Sequence, residues 1–171
     1  MKSKKVKLTV QELTLIGMMI AIIEVCKFFM MNIPNIELTT FWIIMFTLYF
    51  GNRILYVIPA FILIEGVMFG FGMWWIMYLY LWPLLALVTW CFRKNDTILV
   101  WSIISGIFGL LFGFFGAFPY IITSGIYGAF SWWIAGIPWD ITHCIGNFVL
   151  MMILYHPVRN VMKKVNSILI M

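Results

Sequence analysis

The chain has 171 residues, of which 64% are hydrophobic and 10% charged, with a mean hydropathy of +1.06, whereas soluble domains run at roughly 45–50% apolar and about 25% charged. A water-soluble core is excluded, and disordered, collagenous and nucleic-acid-binding classes fail on the same composition. The 11 Lys and Arg outnumber the 6 Asp and Glu, for a formal charge of +5, and nearly all the basic residues fall in short breaks between apolar runs, as in a small integral membrane protein.

A spanning helix needs about 20 mostly apolar residues. Charges and turn residues divide the chain into six candidate spans, predicted at 11–31, 39–50, 54–70, 73–92, 98–127 and 138–155. The first follows Lys2, Lys4, Lys5 and Lys7. Glu24 and Lys27 interrupt its apolar run and no small-residue cleavage site follows, so it reads as a retained helix rather than a signal peptide. Glu24 and Lys27 are three residues apart and are expected to neutralise each other.

The loop Asn32 to Thr40 reads NIPNIELTT, with Pro34 and Asn35 favouring a turn and Glu37 its only charge. Spans two and three are short for a ~30 Å hydrocarbon core and are expected to tilt or to pack inside the bundle. Glu65, near the end of span three, is placed to touch a ligand, to pair with Lys27 or to sit at headgroup level. Met73, Trp74, Trp75, Tyr78, Tyr80 and Trp82 open span four, on faces that cannot all look at lipid. Span five is long enough to cross and project, with Pro119 as its expected bend. Gly106, Gly109, Gly113 and Gly116 fall along one of its faces and allow another helix to approach closely. Span six is expected to start after Pro138, and Arg159 to Met171 has the basic and apolar mix of an interfacial helix.

Every Lys and Arg except Lys27 falls on one side of this arrangement. The positive-inside rule then puts both termini in the cytoplasm. The fold expected is an all-α integral membrane protein with six transmembrane helices, multi-pass in a bacterial cytoplasmic membrane.

No P-loop, GxSxG, HExxH or paired carboxylate at helical spacing occurs, so no ATPase, no enzyme and no cofactor is expected. Cys26, Cys91 and Cys144 lie within or beside apolar runs without ligand spacing, which suggests neither a disulfide frame nor a metal site. The stretch Trp132 to Asn147, WWIAGIPWDITHCIGN, is the most informative. Trp132, Trp133 and Trp139 suit an interfacial aromatic belt. Asp140, His143 and Asn147 recur at three and four residues and share a helix face, so aromatic walls and a polar stripe converge as a small-molecule pocket requires.

The chain resembles the substrate-binding (S) components of energy-coupling factor (ECF) transporters, the vitamin importers of bacteria. The resemblance is carried by six spans in a chain of this size with both termini inside. It extends to the Ile33-Pro34-Asn35 loop leading to Trp42-Ile43-Ile44, and to an aromatic fourth span ending in Phe92-Arg93-Lys94. It implies capture of a vitamin from outside and reorientation of the whole subunit in the bilayer, powered by a coupling transmembrane subunit and two ATPases. It also implies docking to the coupling subunit through small residues four apart on helix one, here Gly17 and Ala21. The IPN and WII elements are similar to those of thiamine-specific members, which place a carboxylate in span four where this chain has Met77, Tyr78 and Tyr80. Gly136 to Asn147 is more similar to S components assigned to cobalamin or its precursors, with His143 as a hydrogen-bonding group rather than a cobalt ligand. The binding residues expected are Trp42, Glu65, Trp74, Trp75, Tyr78, Trp132, Trp139, Asp140, His143 and Asn147. The alternatives are a small intramembrane enzyme using His143 and Asp140 as an acid/base pair, and a stand-alone carrier or channel.

Overall fold

The computed structural model describes residues 8–170, and among them every regular element is helical. Lys2, Lys4, Lys5 and Lys7 lie outside the described residues, as does Met171. Helix α1 (Val10–Met30) starts on a capping box: the Thr9 side chain accepts from the Glu12 amide, and the Glu12 carboxylate accepts from the Thr9 amide at 3.0 Å. This satisfies two of the free amides at its start. Helices α2 (Thr39–Phe50) and α3 (Ile54–Phe69) are joined by a 3-10 turn at Gly51–Arg53, which Gly51 enters at φ 54. Then follow α4 (Met73–Phe92), α5 (Ile98–Leu110), the one-turn α6 (Phe112–Gly116) and α7 (Phe118–Ile170). Four helical stretches are long and apolar enough to cross a membrane: Val10–Met30, Thr39–Phe69 with its internal turn, Met73–Phe92 and Phe118–Ser167.

Side-chain pairs give the helix directions. Arg53 donates to Glu12 at 2.9 Å, so the α2–α3 turn lies beside the start of α1. Trp42 Nε1 lies 3.2 Å from Cys26 Sγ, and Lys27 pairs with Glu65. Helix α1 therefore runs antiparallel to α2 and parallel to α3. Helix α5 runs antiparallel to the later part of α7, through Arg159 to Asp96 at 2.9 Å, Ser105 to the Asn147 carbonyl at 3.3 Å and the Gly113 amide to Asp140 at 3.0 Å. Tyr49, next to the Gly51–Arg53 turn, lies beside Tyr155 and Arg159. Arg53, Arg93, Lys94 and Arg159 thus gather at one end of the bundle, and among the described residues Lys27 is the one basic residue at the other. The core between them holds Trp82, Trp101, Phe41, Phe46, Phe61 and Tyr155, all essentially inaccessible.

The glycine stripe works as expected. A Cβ on Gly109 would stand 2.8 Å from the backbone carbonyl of His143, and one on Gly106 would stand 3.4 Å from that of Cys144. Only bare backbone lets α5 seat this closely on α7.

Three expectations about the second half need correction. Span five is not one helix to residue 127: the chain breaks at Leu111, at Ala117 and again at Gly125, where φ is 70 and ψ is 176. Pro119 does not make the bend, because it lies in the first turn after the Ala117 break, where a missing amide is tolerated. The carbonyl its amide would have reached, Phe115, instead accepts from the Tyr80 hydroxyl at 2.6 Å. Span six does not begin after Pro138 either. Helix α7 resumes after Gly125, carries Pro138 and Pro157 inside it, and includes the Arg159 segment as its continuation. The expected pairing of Glu24 with Lys27 is replaced by Lys27 with Glu65, and the Glu24 Oε1 is buried without a hydrogen-bond partner.

Candidate functional site

Two chambers open at the Lys27 end of the bundle. The larger, about 550 Å³, lies between α1, α3 and α4 and includes Glu24, Lys27, Glu65, Trp74, Tyr78 and Phe112 in its walls. The smaller, about 290 Å³, lies under the 31–38 loop, with Asn35, Glu37, Trp82 and His143 among its walls. Lys27, Met31, Tyr78 and Phe112 line both, so the chambers adjoin along these four side chains.

Helical spacing builds the larger chamber. Glu24 and Lys27 share a face of α1, Phe61 and Glu65 a face of α3, and Trp74 and Tyr78 a face of α4. Gly70, at φ 89, turns the chain between α3 and α4 so that the last two faces meet. The Lys27 ammonium lies among the four rings of Tyr78, Phe69, Phe61 and Trp74, at 5.1, 5.6, 5.7 and 5.9 Å from their centroids. It donates to Glu65 and, at 3.4 Å, to the Tyr78 hydroxyl. Glu65 is fully buried, and its Oε1 has no hydrogen-bond partner. An ammonium within about 6 Å of a ring centroid is attracted by the ring's negative face, so this chamber is shaped electrostatically around positive charge.

The smaller chamber has the loop as one of its walls. Asn35 adopts φ 55, a conformation asparagine tolerates, and the loop's Asn35 carbonyl and Ile36 lie against Gly146 of α7. The Glu37 carboxylate accepts from the Thr40 amide at 3.0 Å, from the Thr40 hydroxyl, and from His143 Nε2 at 3.2 Å. Asn147 in turn donates to Thr40 Oγ1 at 3.3 Å. Burial raises the Glu37 pKa, but the hydrogen bond and attraction from His143 and the bonds from Thr40 outweigh it, and the net shift is downward.

Of the residues expected to bind a ligand, Glu65, Trp74 and Tyr78 line the larger chamber and His143 the smaller. Asp140, His143 and Asn147 do share one buried face of α7, but each serves a different neighbour: Asp140 caps the α5–α6 break, His143 holds the loop, and Asn147 holds α2. Asp140 and His143 share no hydrogen bond. Trp42 stacks on Phe46 and Trp75 donates to the Ile62 carbonyl at 2.8 Å. Trp132 stacks on Tyr120, and Trp139 is 55% exposed. Gly17 and Ala21 lie on the exposed face of α1, and a Cβ on Gly17 would meet nothing within 4 Å.

Sequence spacing paired Lys27 with Glu24, kept Lys27 with Glu65 as one of three alternatives for Glu65, and gave Glu37 and Phe112 no role at the site. One signal was available: Lys27 is the single basic residue away from the charged end, and Glu37 is the single charge of its loop. Among the described residues, no group of three or more His, Cys, Asp and Glu is arranged to hold a metal ion.

Compared with known proteins, the chain matches no family model, no curated sequence and no solved structure.

Proposed function

We propose that the chain is the substrate-binding subunit of an ECF-type vitamin importer, a six-span protein of the bacterial cytoplasmic membrane with both termini inside. The observation that carries this reading is the double chamber at the end of the bundle opposite Arg53, Arg93, Lys94 and Arg159. Under the positive-inside rule that end faces out, where an importer meets its ligand. The alternating helix directions from α1 to α5, followed by the long α7, accommodate six crossings with α2, α3 and α5 as short spans.

The chambers suit a vitamin of ordinary drug size, since such ligands occupy pockets of roughly 300–1,000 Å³. A corrinoid, a macrocycle with an appended nucleotide, is the poorer fit to chambers of about 550 and 290 Å³. The 31–38 loop would act as the outer cover, opened by parting Glu37 from His143. The energy for transport would come from two ATPases through a coupling subunit seated on the exposed Gly17 and Ala21 face of α1. The enzyme reading loses support because His143 is engaged with Glu37 and not with Asp140.

The test is to purify the chain in detergent from cells grown in rich medium and identify any released small molecule by mass spectrometry. A vitamin at one per chain is the expected result. A chain that carries none and binds none from a vitamin panel would end the proposal.

A further inference from the structure

Resting on that reading, the larger chamber also carries information about the chemical class of its ligand. Glu24 and Glu65 both stand in its walls, close enough to one another to share a proton; the Lys27 ammonium pairs with Glu65, and each carboxyl group has one buried oxygen that receives no hydrogen bond from an amide, hydroxyl or ammonium. Glu65 has no exposure to solvent at all. Buried carboxylate oxygens are rarely left unsatisfied, because the cost of desolvation is then uncompensated. The rings of Phe69, Trp74 and Tyr78 in the same walls, together with the fully buried ring of Phe61, make a cation cage, which Lys27 enters on a flexible stem with a 27% exposed side chain.

We propose that this chamber selects an organic cation: a monocationic molecule with a flat, partly aromatic body whose charged group takes the place of the Lys27 ammonium among the four rings. The Glu65 carboxylate neutralises it, and Lys27 swings toward the smaller chamber, whose wall it also forms. An anionic ligand would find its one attractive partner, Lys27, already held by Glu65, and would face both carboxylates and the negative faces of four rings.

The experiment uses the full chain in lipid nanodiscs and three probes of similar shape: 1-methylquinolinium, neutral quinoline and 1-naphthoate, each titrated by equilibrium dialysis at pH 7.5. The cation is expected to bind most tightly. Glu65→Gln should weaken it by about tenfold or more, as for loss of a buried charged partner. Lys27→Gln should tighten it by removing the tethered competitor. The Lys27→Gln/Glu65→Gln double variant removes both charges together, so it guards against a fold lost to one unpaired charge. It should bind the cation more weakly than Lys27→Gln. Preference for quinoline or naphthoate, no binding of any probe at millimolar concentration, or weaker cation binding in Lys27→Gln would overturn the inference. A preference for the neutral or anionic probe would leave the binding-subunit reading intact. Failure to associate with a coupling module would strike that reading and leave the cation preference standing.

Discussion

The Nε2 of His143 lies 3.2 Å from a carboxylate oxygen of Glu37, although 106 positions separate the two in the chain. This contact closes the first loop over the last helix, and beside it Asn147 donates to Thr40 across 107 positions.

Because the folded-state pKa of Glu37 is lowered, its contribution to holding the loop is fully present above the ordinary carboxylate value of 4.5 and is lost as pH falls through the lowered value. Hydrogen exchange of the 31–38 amides, followed by mass spectrometry and corrected for the intrinsic rate at each pH, should show protection falling over that acidic window. In Glu37→Gln the loop should exchange faster at neutral pH, by an amount equivalent to about 1–3 kcal/mol of lost charged hydrogen bonding. An unchanged exchange rate in that variant would show that the loop is held by packing alone.

Gly109→Ala should destabilise the bundle by about 1–3 kcal/mol, the usual cost of overpacking, because the new methyl would stand 2.8 Å from the His143 carbonyl. Thermal unfolding in detergent measures this directly. Gly17→Ala is the matched control: with nothing within 4 Å of its Cβ, it should unfold at or slightly above the parent temperature.

Tyr80→Phe removes the hydroxyl that serves the Phe115 carbonyl at the break before α7. The expected loss is about 1–3 kcal/mol, the penalty for a backbone acceptor left without its partner. Thermal unfolding of this variant matching the parent would mean that another donor, such as water, replaces the tyrosine.

Bulky substitution on the free face of α1 should separate docking from ligand capture. Under the proposed function, Gly17→Leu with Ala21→Leu should leave ligand affinity within about twofold, since neither position lines a chamber, while abolishing co-purification with the proposed coupling subunit and ATPases. Retained co-purification would place docking elsewhere on the protein.

The first four helices were legible almost to the residue, because three of their apolar runs end at a charge or glycine that also ends the helix, and the first ends just before Asn32 and the Pro34 turn. Phe50 before Gly51 and Phe69 before Gly70 are the clearest cases. The second half was not. Pro119 and Pro138 look like breaks in a one-dimensional reading, but a proline costs a helix little when the carbonyl it orphans finds another donor, as Phe115 finds Tyr80. The true break at Gly125 carries no signal beyond a glycine among many. At the site, spacing correctly put Asp140, His143 and Asn147 on one face, and it grouped Trp74 with Tyr78. It could not reveal the partners, because a helical period reports which residues share a surface and says nothing about which surface meets it. Spacing therefore left Lys27 two carboxylates, Glu24 three residues away and Glu65 38 positions along the chain, and only the fold pairs it with the second.

The solitary position of Lys27 also makes it a built-in chemical handle. Among the described residues it is the one amine at its end of the bundle, and 27% of its side chain is accessible. Among the described residues, an amine-directed reagent that reaches that end meets Lys27 alone, and acylation there would remove its charge from the ring cage. A change in the reactivity of that one lysine on adding a ligand then reads out occupancy of the chamber.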